Sequence, residues 1–494
     1  MVKITKIEIK NFKAFRGPDI INLNENRQKG QNLLLYGENG SGKTSLYKAL
    51  ELFLESSEND SIEFIDHKNF SAIDDGNDGY VRLHFTPAPN LQKTTYKWSD
   101  SKDALDDTKV QPIREASKAK GFLDYKALLD THYLHYKDDT VDVFDLMIST
   151  LLKNVINDIS VPSRSFAEEW QDLSELLFPE QGEEEVEIPQ QQFADFNTGI
   201  ENILTRLKAD ANKILPKFGY ENTVVELDLE YHEPKLNNDT NKYESPQILL
   251  TVSFLGSIRP KHHQFLNEAK LSAIALSIFF AGLQLQPPSD LKILVIDDAL
   301  IGLDISHRLP LLDILDERDF AKYQIILMTY DRTFYEIVKK RKSGDTKWKA
   351  AELRCGKVDG YDIPVYVEDK TYLERAREYL DVNDYKACAV YVRTAYEATI
   401  KGYCEKNNIE VKYRENINEL NSNDFWTLIR DRKVPDSKGN NKTKRLIKLA
   451  LVKKIELARK FTLNPLSHAN IVNIPRKELE DAIEAAEWLE DALA

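Results

Sequence analysis

The sequence is poor in cysteine: there are three in 494 residues, Cys355, Cys388 and Cys404, and no C-x-x-C pair. That excludes a disulfide framework and a cysteine-built zinc site, and it fits a reducing compartment. All three are expected to be small buried residues. No apolar run approaches the ~20 residues of a membrane span. The opening Met1-Val2-Lys3-Ile4 lacks the apolar block of a signal peptide. A cytoplasmic protein without a membrane partner is therefore expected. There is no excess of positive charge either. The net charge is −14, so the surface as a whole does not attract nucleic acid, and any such site must be a local patch. Internal repeats and sustained heptads are also missing, which excludes a long coiled-coil arm.

What is present describes an ordinary globular chain with ample core, 42% hydrophobic and 30% charged. Its length allows roughly two to four domains. One stretch organises the rest: Gly37-Glu38-Asn39-Gly40-Ser41-Gly42-Lys43-Thr44. It follows the apolar run Asn32-Leu33-Leu34-Leu35-Tyr36 and leads into helical character over Ser45–Leu52. This is G-x-x-x-x-G-K-[ST] in strand–loop–helix context. Gly37, Gly40 and Gly42 let the backbone curl, so that N–H groups of the loop, with Asn39 and Ser45, face phosphate oxygens. The new helix adds positive potential. Lys43 reaches the β- and γ-phosphates, and the Thr44 hydroxyl is placed to ligate Mg²⁺. ATP and Mg²⁺ are the expected cofactors.

In chain order, residues 3–10 alternate polar and apolar and read as an edge strand. A polar, acidic loop is expected near 55–80. Val81–Phe85 and Thr94–Trp98 read as antiparallel strands, and Gly121–Leu129 as a loop joining two lobes. Helical pattern dominates 140–218, broken by the acidic loop Pro179–Pro189. Strands return at Thr223–Leu227 and Ile248–Val252. Lys292–Ile296 is a buried-type strand ending in Asp297-Asp298. Asp297 at such an end is placed to hold Mg²⁺, and Asp298 to orient or deprotonate water. Gly302-Leu303-Asp304 follows. Another apolar strand, Gln324–Met328, leads to Thr329-Tyr330-Asp331.

The P-loop, the IDDALIGLD segment and the IILMTYD segment together resemble ABC-type ATPases of the SMC/RecF class. Phe265-Leu266-Asn267-Glu268-Ala269-Lys270-Leu271-Ser272-Ala273 is similar to the signature of that class, with Asn267 at the serine position. The resemblance implies an ATP sandwich, in which Asn267 and Lys270 of one protomer, with Asp304 and Tyr330 nearby, complete the site formed by the P-loop of another. A homo-oligomer, at least a dimer, follows. Asp298 stands where the class commonly has Glu, Tyr330 replaces its switch histidine, and no glutamine occupies the loop near Asp124. Slow hydrolysis, with ATP acting as a conformational clamp, fits these departures.

After Val365-Tyr366-Val367 the pattern becomes helical to the end. Asp384–Cys404 carries Ala387, Val390, Ala395, Ile400 and Tyr403 at helical spacing, and Pro475 opens a last amphipathic helix with Leu479, Ala482, Ile483, Ala486 and Leu489 inward. A bundle of about four or five helices is expected. The i,i+4 spacing puts Arg393 and Glu397 on one face. Arg393, Glu397 and His468 have the chemistry for metal-free RNA cleavage: a guanidinium for the phosphate and two proton-transfer groups. They also fit a plain surface ion pair and a structural histidine. Between Arg430 and Lys460, twelve Lys/Arg stand against three Asp/Glu. This basic segment, with Asp436–Lys442 as a loop, suits RNA or DNA phosphates and equally suits solvated lysines. Trp426 and Tyr413 are stacking candidates or core.

R-x-x-x-E followed by the asparagine-containing histidine motif Leu463–His468, behind an SMC-like ATPase, resembles the anticodon-nuclease ATPases of the PrrC and RloC type, whose C-terminal domain is HEPN-like and cuts tRNA in antiphage defence. That resemblance implies catalytic roles for Arg393, Glu397 and His468. The expected fold is α/β: an ABC-type P-loop ATPase with a mixed sheet and a short helical insert, followed by an all-α bundle. The boundaries read as 1–140, 141–220, 221–369 and 370–494. Three uses are open: an ATP-gated ribonuclease, a sensor and scaffold that restrains a separate nuclease or toxin subunit, and a RecF-like DNA-repair ATPase.

Overall fold

The structure is a computed structural model that describes residues 1–24, 29–72, 76, 78–101, 107–124, 140–179, 189–219, 225–237, 242–259, 261–300, 302–368, 370–411, 421–435, 443–460 and 475–493. The chain divides into two units, Met1–Glu368 and Asp369–Ala494.

The first unit is built on a six-stranded sheet in the order Tyr361–Glu368, Trp348–Val358, Asn32–Gly37, Gln324–Thr329, Ile293–Asp297, Gly121–Asp124. The last five are parallel, and the first is an antiparallel edge. Three of these strands are near-continuous apolar runs because both faces are covered. Leu34, Leu294, Ile296, Ile325 and Leu327 point into one core. Leu33, Leu35, Ile293, Val295, Ile326 and Met328 point into the other. This is the two-residue alternation of a strand, with each buried aliphatic contributing about 1.5–3 kcal/mol. Helix Lys43–Glu55 and an antiparallel sheet in the order Asp19–Asn22, Ile4–Lys10, Tyr80–Phe85, Thr95–Ser99 lie with the second core. Insert helices Phe166–Leu177 and Gln190–Ile214 and helix Glu268–Leu285 lie with the first. Helix Glu268–Leu285 is long and apolar enough to cross a membrane by composition, but 72% of it is buried inside the protein. Buried Gln324 ties the base of the sheet: its amide accepts from Ile4 N at 2.7 Å and donates to Ile4 O at 2.8 Å and Gln31 O at 2.9 Å.

Two expectations change here. Ile4–Lys10 is not an edge strand, since it pairs on both sides. Gly121–Asp124 is not a loop but the last strand of the main sheet; residues 125–129 lie outside the described residues. The 55–80 region also contains short helical turns at Phe64–His67 and Phe70–Ala72.

The second unit holds helices Tyr372–Asp381, Tyr385–Lys406, Ser422–Ile429, Leu449–Ala458 and Arg476–Leu493. Polar caps start three of them: Thr371 with Glu374, Asp384 with Ala387 N, and Asn421 with Asp424. The long helix Tyr385–Lys406 buries Cys388, Ala389, Val392, Ala395, Tyr396, Ile400 and Cys404. Val390, expected inside, is exposed, because the inward stripe runs one helical step away from it. Leu479, Ala482, Ile483, Ala486 and Leu489 are buried in the last helix. The unit is not wholly helical: Lys433–Pro435 and Thr443–Arg445 form an antiparallel hairpin within the basic segment. The loop 436–442 and Tyr413 lie outside the described residues. Trp426 is fully buried. Of the cysteines, Cys388 and Cys404 are buried and Cys355 is exposed.

Candidate nucleotide-binding site

Strand Asn32–Gly37 ends in the loop, and Lys43 begins the helix that follows. Two glycines are required by close approach. A Cβ on Gly37 would meet Ser41 Oγ at 2.3 Å, and one on Gly42, where φ is +100°, would meet Pro364 Cγ at 2.4 Å. Pro364 belongs to the edge strand Tyr361–Glu368, so that strand braces the loop from outside. On the neighbouring strand Cys355 Sγ lies 3.5 Å from Gly40 O. Ala14 N donates to Ser45 Oγ at 3.4 Å, which brings the 11–15 loop against the start of the P-loop helix.

Parallel pairing puts the carboxyl ends of the strands side by side. Lys43 Nζ donates to Gly37 O at 2.7 Å and Glu38 O at 3.3 Å, and stands 3.3 Å from Asp298 Oδ2. Thr44 Oγ1 donates to Asp297 Oδ2 at 2.7 Å. Asp298 has a left-handed backbone, φ 51°, at the strand end, a conformation that aspartate tolerates and that is common at functional sites. It places Oδ1 to accept from Tyr330 N at 2.8 Å. The Lys43, Thr44, Asp297, Asp298 and Tyr330 of the sequence reading therefore form one cluster.

The cluster is short of positive charge. Burial pushes the Asp297 carboxyl up to about 6; the Thr44 hydroxyl opposes this, and the charge of Asp298 adds to it. Burial also raises Asp298, with Lys43 pulling the other way. Asp124 pairs in register with Asp297 across the sheet and adds to the negative potential there. Asp297 Oδ1 is buried with no hydrogen-bond partner. A buried, unpartnered carboxylate oxygen beside a threonine hydroxyl at the mouth of a P-loop is a hard-oxygen donor set that fits Mg²⁺. In the sequence Asp124 stands only near a loop; its place in the site comes from strand pairing.

The remaining nucleotide candidates stand at helix starts. Asn267 is exposed and caps helix Glu268–Leu285, its side chain accepting from Lys270 N at 3.1 Å. Lys270 Nζ lies 5.8 Å from the centre of the Phe254 ring. Asp304 is the N-cap residue of helix Ile305–Asp316, 3.9 Å from His307 Nδ1. Among the described residues nothing ties Asn267 or Asp304 to the P-loop cluster. Arg308 and Asp331 pair at 2.7 Å below Tyr330, a contact that the sequence reading missed.

In the second unit Arg393 Nε donates to Glu397 Oε1 at 3.0 Å, as their i,i+4 spacing allows. His468 lies outside the described residues. In the basic segment Arg430, Lys444, Arg445, Lys448, Lys453 and Lys454 are exposed or nearly so.

The profile of a family described as an AAA domain matches residues 6–245, which supports ATP binding and ATPase chemistry at this P-loop. No curated protein matches the chain. Among solved structures the chain is similar to an Smc head domain with an extended coiled coil bound to the C-terminal domain of ScpA, from Pyrococcus furiosus, at 14% identity and a TM-score of 0.40 over 78% of this chain and 100% of that one. It is similar to the SMC head domain from Thermotoga maritima at 14% identity and a TM-score of 0.37, over 74% and 99%. It is similar to the recombination mediator RecF with ATP, of the RecFOR pathway, at 14% identity and a TM-score of 0.40, over 74% and 98%.

Proposed function

We propose that this chain is an ABC-type ATPase of the SMC/RecF kind that works in antiphage defence, with its ATP state gating RNA cleavage, of tRNA in particular, by its own C-terminal unit. The observation that carries the ATPase part is the meeting of Lys43, Thr44, Asp297 and Asp298 within 3.3 Å contacts at the ends of adjacent strands. Thr44 and Asp297 would hold Mg²⁺, which when bound neutralises charge on the β- and γ-phosphate oxygens. Lys43 leaves Asp298 for those phosphates. Asp298, freed of its cation and raised by burial toward working pH, orients and accepts the proton of the attacking water. Asn267 of a second copy closes the site from the far side, which makes the active form at least a dimer.

In the C-terminal unit Arg393 binds the scissile phosphate, and Glu397 and His468 move protons. The 2′-oxygen attacks phosphorus and gives its proton to one of them. The other protonates the leaving 5′-oxygen, and a 2′,3′-cyclic phosphate results. The test is incubation of the purified protein with total tRNA, with and without ATP and Mg²⁺, beside His468→Ala of equal stability. Cleavage that depends on nucleotide and disappears in the variant is the expected result. Cleavage that persists in His468→Ala would sink the assignment.

One observation favours a second reading. Arg393 and Glu397 satisfy each other at 3.0 Å in an ordinary helix-surface pair. An inert helical unit that binds and restrains a separate nuclease or toxin subunit fits that arrangement. Absence of cleavage together with a co-purifying nuclease would select it.

A further inference from the structure

The C-terminal unit contains one arginine whose setting differs from the rest. Arg459 follows helix Leu449–Ala458 and is half-buried. Its guanidinium lies 5.3 Å from the centre of the Tyr396 ring and 6.0 Å from that of Trp426. The two rings pack edge to face, with centres 5.9 Å apart. A guanidinium over two aromatic faces is held by the ring quadrupoles and loses little further freedom when it binds. Its polar contact is a long one, Nη2 to Asn423 Oδ1 at 3.4 Å.

The charge around it is uneven. Glu397 and Glu456 are the carboxylates close enough to act on Tyr396. Each is engaged by its own arginine, Glu397 by Arg393 at 3.0 Å and Glu456 by Arg430 at 3.3 Å. Arg459 has no carboxylate within ion-pair distance among the described residues. The Tyr396 hydroxyl and the Trp426 indole N–H are buried, at 3% and 0% exposure, without hydrogen-bond partners, so the half-buried Arg459 guanidinium is the donor of this cluster that an oxyanion can reach.

We propose that Arg459, mounted on the Tyr396–Trp426 platform, is the phosphate-binding residue through which this unit grips an RNA backbone. This rests on the reading that the unit handles RNA. It goes beyond that reading in assigning the grip to one preorganised guanidinium rather than to the lysines of the basic segment. Those lysines are long, strongly hydrated and flexible, and they add diffuse attraction. Arg459 offers a planar fork fixed in orientation, suited to bidentate contact with phosphate.

The test is binding of a fluorescently labelled tRNA to the full-length protein across a salt series. Arg459→Ala, Arg459→Lys and, as a control, Lys477→Ala are compared with the wild type. One phosphate contact accounts for a slope of about 0.7–0.9 in log K against log salt. Arg459→Ala is expected to bind roughly ten-fold more weakly, with the slope reduced by about that amount. Arg459→Lys should recover the slope but not the full affinity, because the stacked fork is lost. Lys477→Ala should change neither. Should Arg459→Ala unfold, Arg459→Gln keeps the apolar stem over the rings and carries the same comparison. RNA binding by Arg459→Ala with wild-type affinity and slope overturns the proposal and leaves RNA handling by the unit intact. Absence of RNA binding by the wild type at any salt overturns both.

Discussion

Asp298→Asn separates binding from chemistry at the P-loop. In the structure the Asp298 carboxylate holds Lys43 at 3.3 Å, and both side chains are largely buried, 5% and 17% exposed. Nucleotide has to draw Lys43 away from that partner. At an effective dielectric of about 20, a pair at this distance interacts by about 5 kcal/mol. Most of it is recovered when phosphate replaces carboxylate, and Gly37 O and Glu38 O keep part of the lysine's hydrogen bonding. A net cost of about 1–2 kcal/mol remains for displacing Asp298, which is roughly 5–30-fold in affinity. Removing the charge should therefore tighten ATP binding by that factor. It should also slow hydrolysis on the order of 10²–10⁴-fold through loss of the base. Calorimetric titration with ATP and Mg²⁺ gives the first number, and phosphate release gives the second. ATP bound more weakly by the variant, or hydrolysis left unchanged, would refute the reasoning.

Other consequences can be measured directly. Burial pushes the Asp19 carboxyl from 3.8 to about 6. The folded state then keeps a proton that the unfolded chain has lost, so stability falls as pH rises from about 4 to about 6. Asp19→Asn should abolish that fall, stabilising by about 1–2 kcal/mol near pH 7.5 and by almost nothing near pH 4, as read by urea denaturation. Lys68 and Asp100 pair at 3.0 Å with 1% and 3% exposure. Lys68→Met should cost about 3–5 kcal/mol by stranding the aspartate, and adding Asp100→Leu should restore most of it. A lasting loss in the double variant would mean that the pair is more than a buried charge balance. Cys355 is exposed, whereas burial pushes the Cys388 thiol up to about 11 and raises Cys404. Maleimide should modify Cys355 alone in the folded protein, and the adduct beside Gly40 should weaken ATP binding. Affinity unchanged after complete modification would remove Cys355 from the site's surroundings.

How legible the site is follows from how local its determinants are. The P-loop and the strand ending in Asp297-Asp298 can be read because a motif and its flanking strand are contiguous, and because strands covered on both faces give unbroken runs such as Ile293–Ile296. Gly121–Asp124 resists reading. Four residues carry no period, and what makes them a strand is pairing with Leu294–Asp297 in a distant part of the chain. Asp124 enters the site only through that pairing. Cys355 misleads for a similar reason. It continues the inward register of Ala351 and Leu353, but pairing with Asn32–Gly37 stops at Leu353, so the strand runs past its cover. Val390 fails on helical phase, since the buried stripe follows Cys388, Val392, Ala395 and Cys404. The Arg459 platform draws on three separate helical segments, and a stack of that kind leaves no trace in spacing.

The site's charge makes a last demand. Lys43 faces Asp297, Asp298 and the nearby Asp124, with Arg308 acting on Asp298 as well; burial raises both aspartates at the strand end, and the charges of Asp298 and Asp124 add to the rise of Asp297. Phosphates added to that cluster meet repulsion from carboxylates as well as attraction from Lys43 and the loop N–H groups. A divalent ion is therefore needed for affinity and not only for chemistry. Chelation with EDTA should weaken ATP binding by about 1–3 kcal/mol, roughly 5–150-fold. Asp297→Asn discriminates this from a general ionic effect. Deleting that charge should strengthen ATP binding in EDTA relative to the wild type, because repulsion falls, and should abolish most of the gain from Mg²⁺, because the buried oxygen that fits the ion has become an amide. ATP bound equally well with and without EDTA would mean that Lys43 and the loop outweigh the carboxylates, and the charge deficit drawn from Asp297 would be wrong.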